Sequence, residues 1–171
     1  MRLPIAVGIS FVLGAVMPAQ ALETQDVVCL ARVAYGEARG EPLKVKFLTT
    51  WSILLRAAAN LKAFGGSTIC GVVYHTTTDP LTGKVTRQYD GAWIPVTDRA
   101  AWADALVVAR RTLKGDGQPN MPVMFFCNPD VQAGCGWHDK SPTTRYVGTM
   151  GHHRYYLYYK YLSFTVQTAS M

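Results

Sequence analysis

The chain has 171 residues, of which 49% are hydrophobic and 16% charged, and its formal net charge is +6. This is long enough and apolar enough for one domain with a hydrophobic core. The basic residues are scattered along the chain, which argues against a nucleic-acid-binding arm and favours other anionic partners. Charge alone does not choose among such partners.

The first 21 residues have the features of a signal peptide. Arg2 gives a positive start, an apolar run follows from Ile5 to Met17, and Ala19-Gln20-Ala21 has the small-x-small form of a cleavage site. The run is too short for a confident membrane span, so an uncleaved anchor is the lesser alternative. We expect a domain of residues 22–171, exported to the periplasm, cell envelope or extracellular space, with no stable membrane insertion after cleavage.

Four cysteines lie in the expected mature part, at Cys29, Cys70, Cys127 and Cys135. An even number in an exported chain indicates two disulfides, for which three pairings exist. The short spacing of Cys127 and Cys135, with glycine and proline between them, favours that pair together with Cys29–Cys70. Zinc ligands with C-x-x-C or H-E-x-x-H spacing do not occur, and the sequence implies no metal and no cofactor.

Two helical patterns come first in the mature chain. Apolar residues at helical spacing predict a helix over Asp26–Tyr35, which delivers Glu37 at or just beyond its last turn. The second pattern covers Leu43–Ala59, and Pro42 is well placed as its first residue. We expect its core face to be one apolar stripe, formed by Leu43, Phe47, Leu48, Trp51, Leu54, Leu55 and Ala58.

The middle of the chain alternates between short buried segments and loops. Ser67–Tyr74 predicts a buried segment, either helical or extended, and His75–Pro95 is a long loop that carries Gln88, Tyr89 and Trp93. Those three side chains suit contact with a sugar, and an exposed hairpin whose aromatic residues lean on the core is an equal alternative. A third helix capped by Thr97 or Asp98 is expected to run to Leu113, with an inward face of Ala101, Trp102, Ala105, Leu106, Ala109 and Leu113.

The last part of the chain predicts strands. Val123–Cys127 has the pattern of a buried strand, Asn128–Asp130 that of a turn, and Gly134–His138 that of a glycine-rich loop. His153–Val166 is rich in tyrosine and alternates on two faces, which indicates another strand. Helices followed by short strands predict a small single α+β domain, in which a short antiparallel sheet flanks a substrate groove.

The junction Ala34–Pro42 is the best candidate for chemistry. Its glycines, Gly36 and Gly40, allow a sharp turn and the close approach of another molecule. Glu37 lies between them, and Arg39 and Glu41 are close by; Glu23 is the only other glutamate in the chain. The residues alone leave open whether these carboxylates act as acid or base, or merely pair with Arg39, Lys44 or Lys46.

Several segments resemble, in order, the cell wall hydrolases typified by bacterial spore cortex-lytic enzymes. Leu30–Pro42 is similar to the signature block of that family and Thr68–Tyr74 to its second block, and Gln88-Tyr89 stands where the family has Gln-Phe. Phe125–Asp130 with Trp137, and then Gly151–Tyr156, resemble its last two blocks. The family usually carries an Asn-Arg pair at the end of its second helix, where this chain has Leu55-Arg56, and a Ser-Trp block where this chain has Asp90–Trp93.

The resemblance implies a lysozyme-like core that cleaves the β-1,4 bond between N-acetylmuramic acid and N-acetylglucosamine in peptidoglycan. Glu37 stands at the position of the catalytic acid, and Arg39 and Glu41 are expected to be structural residues near the site. No nucleic-acid partner is implied, and a monomer is favoured. The candidate substrate-binding residues are Tyr35, Gln88, Tyr89, Trp93, Asn128, Trp137, His153, Tyr155 and Tyr156.

The chemical step has two variants. Hydrolysis by two carboxylates needs a partner for Glu37, for which Glu41, Asp90 and Asp139 are candidates. A lytic transglycosylase needs only one carboxyl group, because the N-acetyl and 6-hydroxyl groups of the substrate do the rest, and the lack of an obvious partner favours it. Two other classes remain open: a wall-binding module without activity, and a cysteine amidase or peptidase whose thiolate is activated by His152 or His153.

Overall fold

The computed structural model describes residues 24–132 and 135–159. The predicted signal peptide, residues 1–21, lies outside these residues. The helices are α1 (Gln25–Ala38), α2 (Leu43–Ala59), α3 (Ile69–Val73), α4 (Arg99–Leu113) and α5 (Gly136–Lys140). The strands are β1 (Thr76–Thr78), β2 (Val85–Arg87), β3 (Val123–Cys127), β4 (Thr144–Met150) and β5 (His153–Tyr158), and single 3₁₀ turns occupy Lys62–Phe64 and Asp90–Trp93. The predicted α+β class is confirmed.

Helix α1 is the centre of the helical layer, where it packs against α2, α3 and α4. Leu30, Ala31 and Val33 are fully buried along it. The helix runs three residues further than its sequence pattern predicts, so Glu37 lies within its last turn. Gly40, with φ near +97°, then reverses the chain, and Pro42 occupies the position before the first residue of α2.

Helix α2 has the predicted bounds, and its predicted core face is partly right: Phe47 is buried, and Leu48, Trp51, Leu54 and Leu55 are partly buried against the core. Leu43 is 46% exposed and Ala58 is also exposed, whereas the buried positions are Val45, Phe47, Thr49, Thr50, Ser52, Ile53, Arg56 and Ala57. Thr50 and Ser52 are compatible with burial because their hydroxyls are hydrogen-bonded within the core. Thr50 Oγ1 lies 3.0 Å from the Lys46 carbonyl oxygen and 2.8 Å from Thr112 Oγ1 of α4. A face chosen by hydrophobicity alone therefore misses them.

Helix α4 has the predicted end at Leu113 and is capped by Asp98, whose carboxylate accepts the Ala101 N–H at 3.0 Å. Its buried residues are Ala105, Val108, Ala109 and Thr112, whereas Leu113 is 40% exposed. The predicted face is thus partly wrong: Val108 and Thr112 are buried, and Thr112 is compatible with burial because its hydroxyl bonds to Thr50 and to the Val108 carbonyl.

Two antiparallel sheets complete the fold. A hairpin of β1 and β2 emerges after α3, and all six of its strand residues are exposed. The second sheet has the order β3-β5-β4, with Phe126 of β3 opposite Tyr155 of β5. Strand β3 has the predicted bounds, β4 was not predicted, and the part of the predicted last strand beyond residue 159 lies outside the described residues.

The segment before β4 differs from its prediction. Gly136–Lys140 forms the short helix α5 rather than a glycine-rich loop, and Cys135, with φ near +59°, makes the turn that starts it. Both predicted disulfides are confirmed: Cys29–Cys70 joins α1 to α3, and Cys127–Cys135 joins β3 to the start of α5. No helix in the described part of the chain is long and apolar enough to cross a bilayer.

Candidate active site

Glu37 projects from the last turn of α1 toward the 3₁₀ turn at Asp90–Trp93. Its Oε1 accepts a hydrogen bond from the Gly91 N–H at 2.7 Å. Burial raises the pKa of this carboxyl, the nearby Asp90 carboxylate raises it further, and the Gly91 hydrogen bond partly opposes both. The net shift is upward, as a carboxyl that holds a proton for delivery requires.

Two glycines make this contact possible. Gly36 and Gly91 meet backbone to backbone, and a Cβ added to Gly91 would lie 2.7 Å from Glu37 Oε1 and 2.8 Å from Gly36 Cα. Neither glycine has a positive φ. The need for glycine here is therefore one of space, since it lets the 3₁₀ turn approach the helix closely enough to hold the carboxyl.

Glu37 lines a cleft of about 430 Å³ between the β1–β2 hairpin on one side and β3 with α5 on the other. Aromatic and polar side chains alternate around it. The lining residues are Glu37, Arg56, Ala63, Phe64, His75, Thr77, Thr86, Arg87, Gln88, Tyr89, Asp90, Phe125, Phe126, Gln132, Trp137 and His138.

A larger groove of about 780 Å³ lies between the start of α2, the 117–121 segment and β4. Among the described residues, its walls carry no aspartate, glutamate or histidine. Size alone would select this groove. We place the candidate active site in the smaller cleft, because only there do an acid and several polar side chains converge.

Three of the predicted substrate-binding residues line the cleft together with Glu37, namely Gln88, Tyr89 and Trp137. Trp137 is 70% exposed, so its ring is accessible to a ligand. Tyr89 is 4% exposed and stacks on Phe126 with ring centroids 5.9 Å apart. Burial raises the pKa of its hydroxyl to about 12, and Ser52 and Arg56 are close enough to oppose that rise. The hydroxyl nevertheless reaches neither of them in standard hydrogen-bond geometry.

Tyr35, Trp93 and Asn128 do not line this cleft. The Tyr35 hydroxyl accepts the N–H groups of Thr97 and Asp98 at 3.1 and 3.2 Å, which ties α1 to the start of α4. Trp93 lies against Tyr74, with ring centroids 5.2 Å apart. The Asn128 side chain accepts the Asp130 N–H at 2.9 Å and forms the predicted turn.

His153, Tyr155 and Tyr156 also lie outside the cleft lining. All three are nearly fully buried in strand β5. The Tyr156 hydroxyl donates to Asp139 Oδ1 at 2.8 Å, and Tyr155 lines the larger groove. Tyr155 packs in a cluster with Val45 of α2, and Tyr156 in a second cluster with Phe125 and the Cys127–Cys135 disulfide, so both faces of β5 are covered.

Glu41 points away from Glu37. Its Oε1 lies 2.7 Å from His152 Nδ1 and 3.8 Å from His153 Nδ1, across the turn between β4 and β5. Arg39 Nη1 donates to the Tyr35 hydroxyl at 2.9 Å. Neither residue lines the cleft: Glu41 connects the α1–α2 junction to the β4–β5 turn, and Arg39 packs back on its own helix.

Arg56 is the principal cleft residue that sequence reasoning missed. It is 3% exposed, and its Nε donates to the Met124 carbonyl at 2.6 Å. Its guanidinium lies 4.6 Å from the ring centroid of Phe125, 5.3 Å from that of Tyr89 and 5.5 Å from that of Phe64. The Leu55-Arg56 position in the resemblance was a signal that could have identified it.

His138 and His75 were also missed as cleft residues. His138 stacks on Tyr156 with ring centroids 4.9 Å apart, and burial, with the Arg56 charge as a lesser cause, lowers its pKa to about 4. Its imidazole is therefore neutral near pH 7. His75 lies where α3 leads into β1, and its Nε2 is buried without a hydrogen-bond partner among the described residues.

Comparison with known proteins gives one relevant match. No protein-family model matches the chain, and no curated protein sequence matches it. Among solved structures it is similar to the catalytic domain of the germination-specific lytic transglycosylase SleB from Bacillus anthracis, with 23% identity and a TM-score of 0.50. The match covers 81% of this chain and 98% of that one. At this identity the likeness shows a shared α+β fold.

Proposed function

We propose that this protein is a peptidoglycan-cleaving enzyme that cuts the β-1,4 bond between N-acetylmuramic acid and N-acetylglucosamine, with Glu37 as its general acid. The observation that carries the proposal is the Glu37 carboxyl itself, which is held by Gly91 in a cleft and whose pKa burial raises. Glycosidic cleavage needs a group of this kind to protonate the leaving oxygen.

The reaction we favour is lytic transglycosylation. Glu37 gives its proton to the glycosidic oxygen as the bond between that oxygen and C1 of the muramic acid breaks. The 6-hydroxyl of the same sugar then bonds to C1, and its proton passes to the Glu37 carboxylate. A 1,6-anhydro ring results, the acid is regenerated and no water is consumed.

The surroundings of the other candidate carboxylates support this choice. Glu41 bonds to His152, and Asp139 is engaged by Arg154 and Tyr156. Asp90 is the exception, because it lines the cleft and influences the pKa of Glu37. Hydrolysis with Asp90 as the second carboxylate is therefore the second candidate chemistry.

The fold and the disulfides support an envelope substrate. The similar solved domain is named as a lytic transglycosylase, and two disulfides are typical of proteins outside the reducing cytosol. A cysteine amidase or peptidase is disfavoured, because all four cysteines are paired and none is a free thiol. A wall-binding module without activity remains the contrasting reading.

The test is digestion of purified sacculi by the oxidised protein of residues 22–171, with analysis of the soluble fragments by mass spectrometry. Anhydromuramic ends that disappear in Glu37→Gln would support the transglycosylase. Reducing ends that disappear in both Glu37→Gln and Asp90→Asn would favour hydrolysis. Release of peptide stems would contradict glycan cleavage, and sacculus binding without release by any variant would favour the binding module.

A further inference from the structure

The cleft concentrates polar atoms that have no partner. In residues 24–132 and 135–159, seven buried side-chain nitrogen or oxygen atoms lack a hydrogen bond. Four of them belong to residues of the cleft, namely Arg56 Nη1, His75 Nε2, Tyr89 Oη and His138 Nδ1. An unsatisfied buried polar atom is costly and uncommon. Their gathering beside Glu37 points to a polar group that arrives with the substrate.

Arg56 has the largest unused capacity among them. A guanidinium has five N–H donors, and within the described residues only Nε has a hydrogen bond in standard geometry, to Met124, while the Tyr89 hydroxyl lies near enough to influence the group. The rings of Phe64, Tyr89 and Phe125 surround the group and fix its orientation. None of these rings neutralises the positive charge of the guanidinium. The side chain lines the cleft, so its small exposed surface faces the place where a ligand would lie.

No carboxylate of the described residues forms an ion pair with Arg56. Glu37 lies in the same cleft, but its Oε1 is held by Gly91 of the 3₁₀ turn. A general acid must also be protonated at the moment it acts, so it cannot serve as the counter-ion for a cation. A buried cation that lacks an anionic partner is a site for an anion from outside.

His138 adds a hydrogen-bonding nitrogen to the site without adding a charge. Its Nδ1 is buried and unpartnered, and its ring is near enough to Arg56 for that charge to influence its titration. A neutral imidazole beside a guanidinium offers a further hydrogen bond but no second cation. The pair therefore matches a group with one negative charge, such as a carboxylate.

We propose that Arg56, with His138 beside it, binds a carboxylate of the glycan substrate and so selects strands that carry an acidic group over neutral ones. This inference rests on the proposed glycan cleavage and names the group by which the cleft recognises its strand. Peptidoglycan has two sources of a carboxylate: the lactyl group of muramic acid, free once amide hydrolysis has removed the stem peptide, and the acidic residues of an attached stem.

The test measures binding by calorimetry in the Glu37→Gln variant, so that no ligand is cleaved. The ligands are matched oligosaccharides of alternating N-acetylglucosamine and muramic acid, whose lactyl group is either a free carboxylate, a neutral methyl amide or linked to a stem peptide. A carboxylate form should bind about tenfold to a hundredfold more tightly than the amide. Preference for the free lactyl form or for the stem-bearing form identifies the source, and equal binding of all three overturns the proposal.

Arg56→Met, combined with Glu37→Gln, is the decisive variant, since a flexible apolar side chain of similar length suits the surrounding rings. Its preference for the carboxylate should fall to about onefold while the affinity for the amide stays the same. Arg56→Lys keeps the charge and should keep part of the preference. A full preference in Arg56→Met would overturn the proposal. If Arg56→Met does not fold, as judged by its melting curve, the three ligands are compared on the Glu37→Gln parent and on Arg56→Lys. A preference for the carboxylate in the parent that weakens in Arg56→Lys then supports the proposal, and an equal preference in both contradicts it.

The same materials separate this inference from the proposed function. Cleavage that depends on Glu37 but shows no preference for a carboxylate would overturn the inference alone. A preference lost in Arg56→Met, in a protein that cleaves no glycan, would overturn the proposed activity and leave the carboxylate site standing.

Discussion

Substitution of Gly91 by alanine tests how the carboxyl of Glu37 is held. The new Cβ would lie 2.7 Å from Glu37 Oε1 and 2.8 Å from Gly36 Cα. Both distances are shorter than van der Waals contact, and the α1 backbone cannot rotate away as a side chain can. Overpacking of this kind costs about 1–3 kcal/mol. For a domain of this size that lowers the melting temperature by roughly 2–12 °C.

The same substitution should change the chemistry. Displacement of the carboxyl breaks its 2.7 Å hydrogen bond from the Gly91 N–H, which is the interaction that lowers the pKa of Glu37 against burial. The pKa of the carboxyl then rises further. Because the acid stays protonated to higher pH, the alkaline limb of kcat/KM should move upward in pH, while the rate at the optimum falls.

The assay is sacculus clearance across pH, together with thermal melting. Gly136→Ala is the matched control, because an added Cβ there has no atom within 4 Å and the backbone is not in the left-handed region. Unchanged melting and an unchanged pH profile in Gly91→Ala would refute the view that this glycine positions the acid.

Two further predictions follow from other contacts. Replacement of Cys29 and Cys70 by alanine should lower the free energy of unfolding by about 2–5 kcal/mol in urea titrations under oxidising conditions. With a reductant present, the stability of the parent should approach that of the variant. Equal stability of the two proteins without reductant would argue against this crosslink. The Glu41 carboxylate raises the pKa of His152, so the stabilisation from this pair is full below the unfolded-state pKa of histidine and is lost as the pH rises through the raised value. His152→Ala should therefore lower the melting temperature more at pH 5 than at pH 9, and a larger loss at pH 9 would contradict the pairing.

The sequence predicts the bounds of helices and strands better than it predicts which of their faces are buried. The bounds of α2 and β3 are correct because caps, glycines and periodicity mark them locally. The predicted buried face of α2 was partly wrong, because the hydroxyls of Thr50 and Ser52 are hydrogen-bonded within the core and a hydrophobicity pattern does not record such pairing. The sequence predicts a loop where helix α5 forms, because glycine and cysteine at this point are weak helix formers. The start of the helix is fixed instead by the left-handed backbone of Cys135 and by its disulfide.

Part of the candidate site is also predictable from the sequence, because some of its residues belong to local motifs. Glu37, Gln88, Tyr89 and Trp137 stand in local motifs, and the fold brings them to one cleft. The tyrosines of β5 have the composition of a sugar-binding surface, but core clusters on the two faces of that strand bury Tyr155 and Tyr156. Arg56 was missed because a charged residue in a helix is ordinarily solvated, and only the packing of α2 against β3 encloses it.

The two disulfides join the walls of the cleft to the rest of the domain. Cys29–Cys70 attaches the segment that leads into the β1–β2 hairpin to the most buried helix, and Cys127–Cys135 attaches α5, with Trp137 and His138, to strand β3. The two opposite walls of the cleft are thus attached covalently to different layers of the fold. Each crosslink limits how far its wall can move from the layer to which it is attached, so we expect the cleft to keep nearly the same width with and without a ligand.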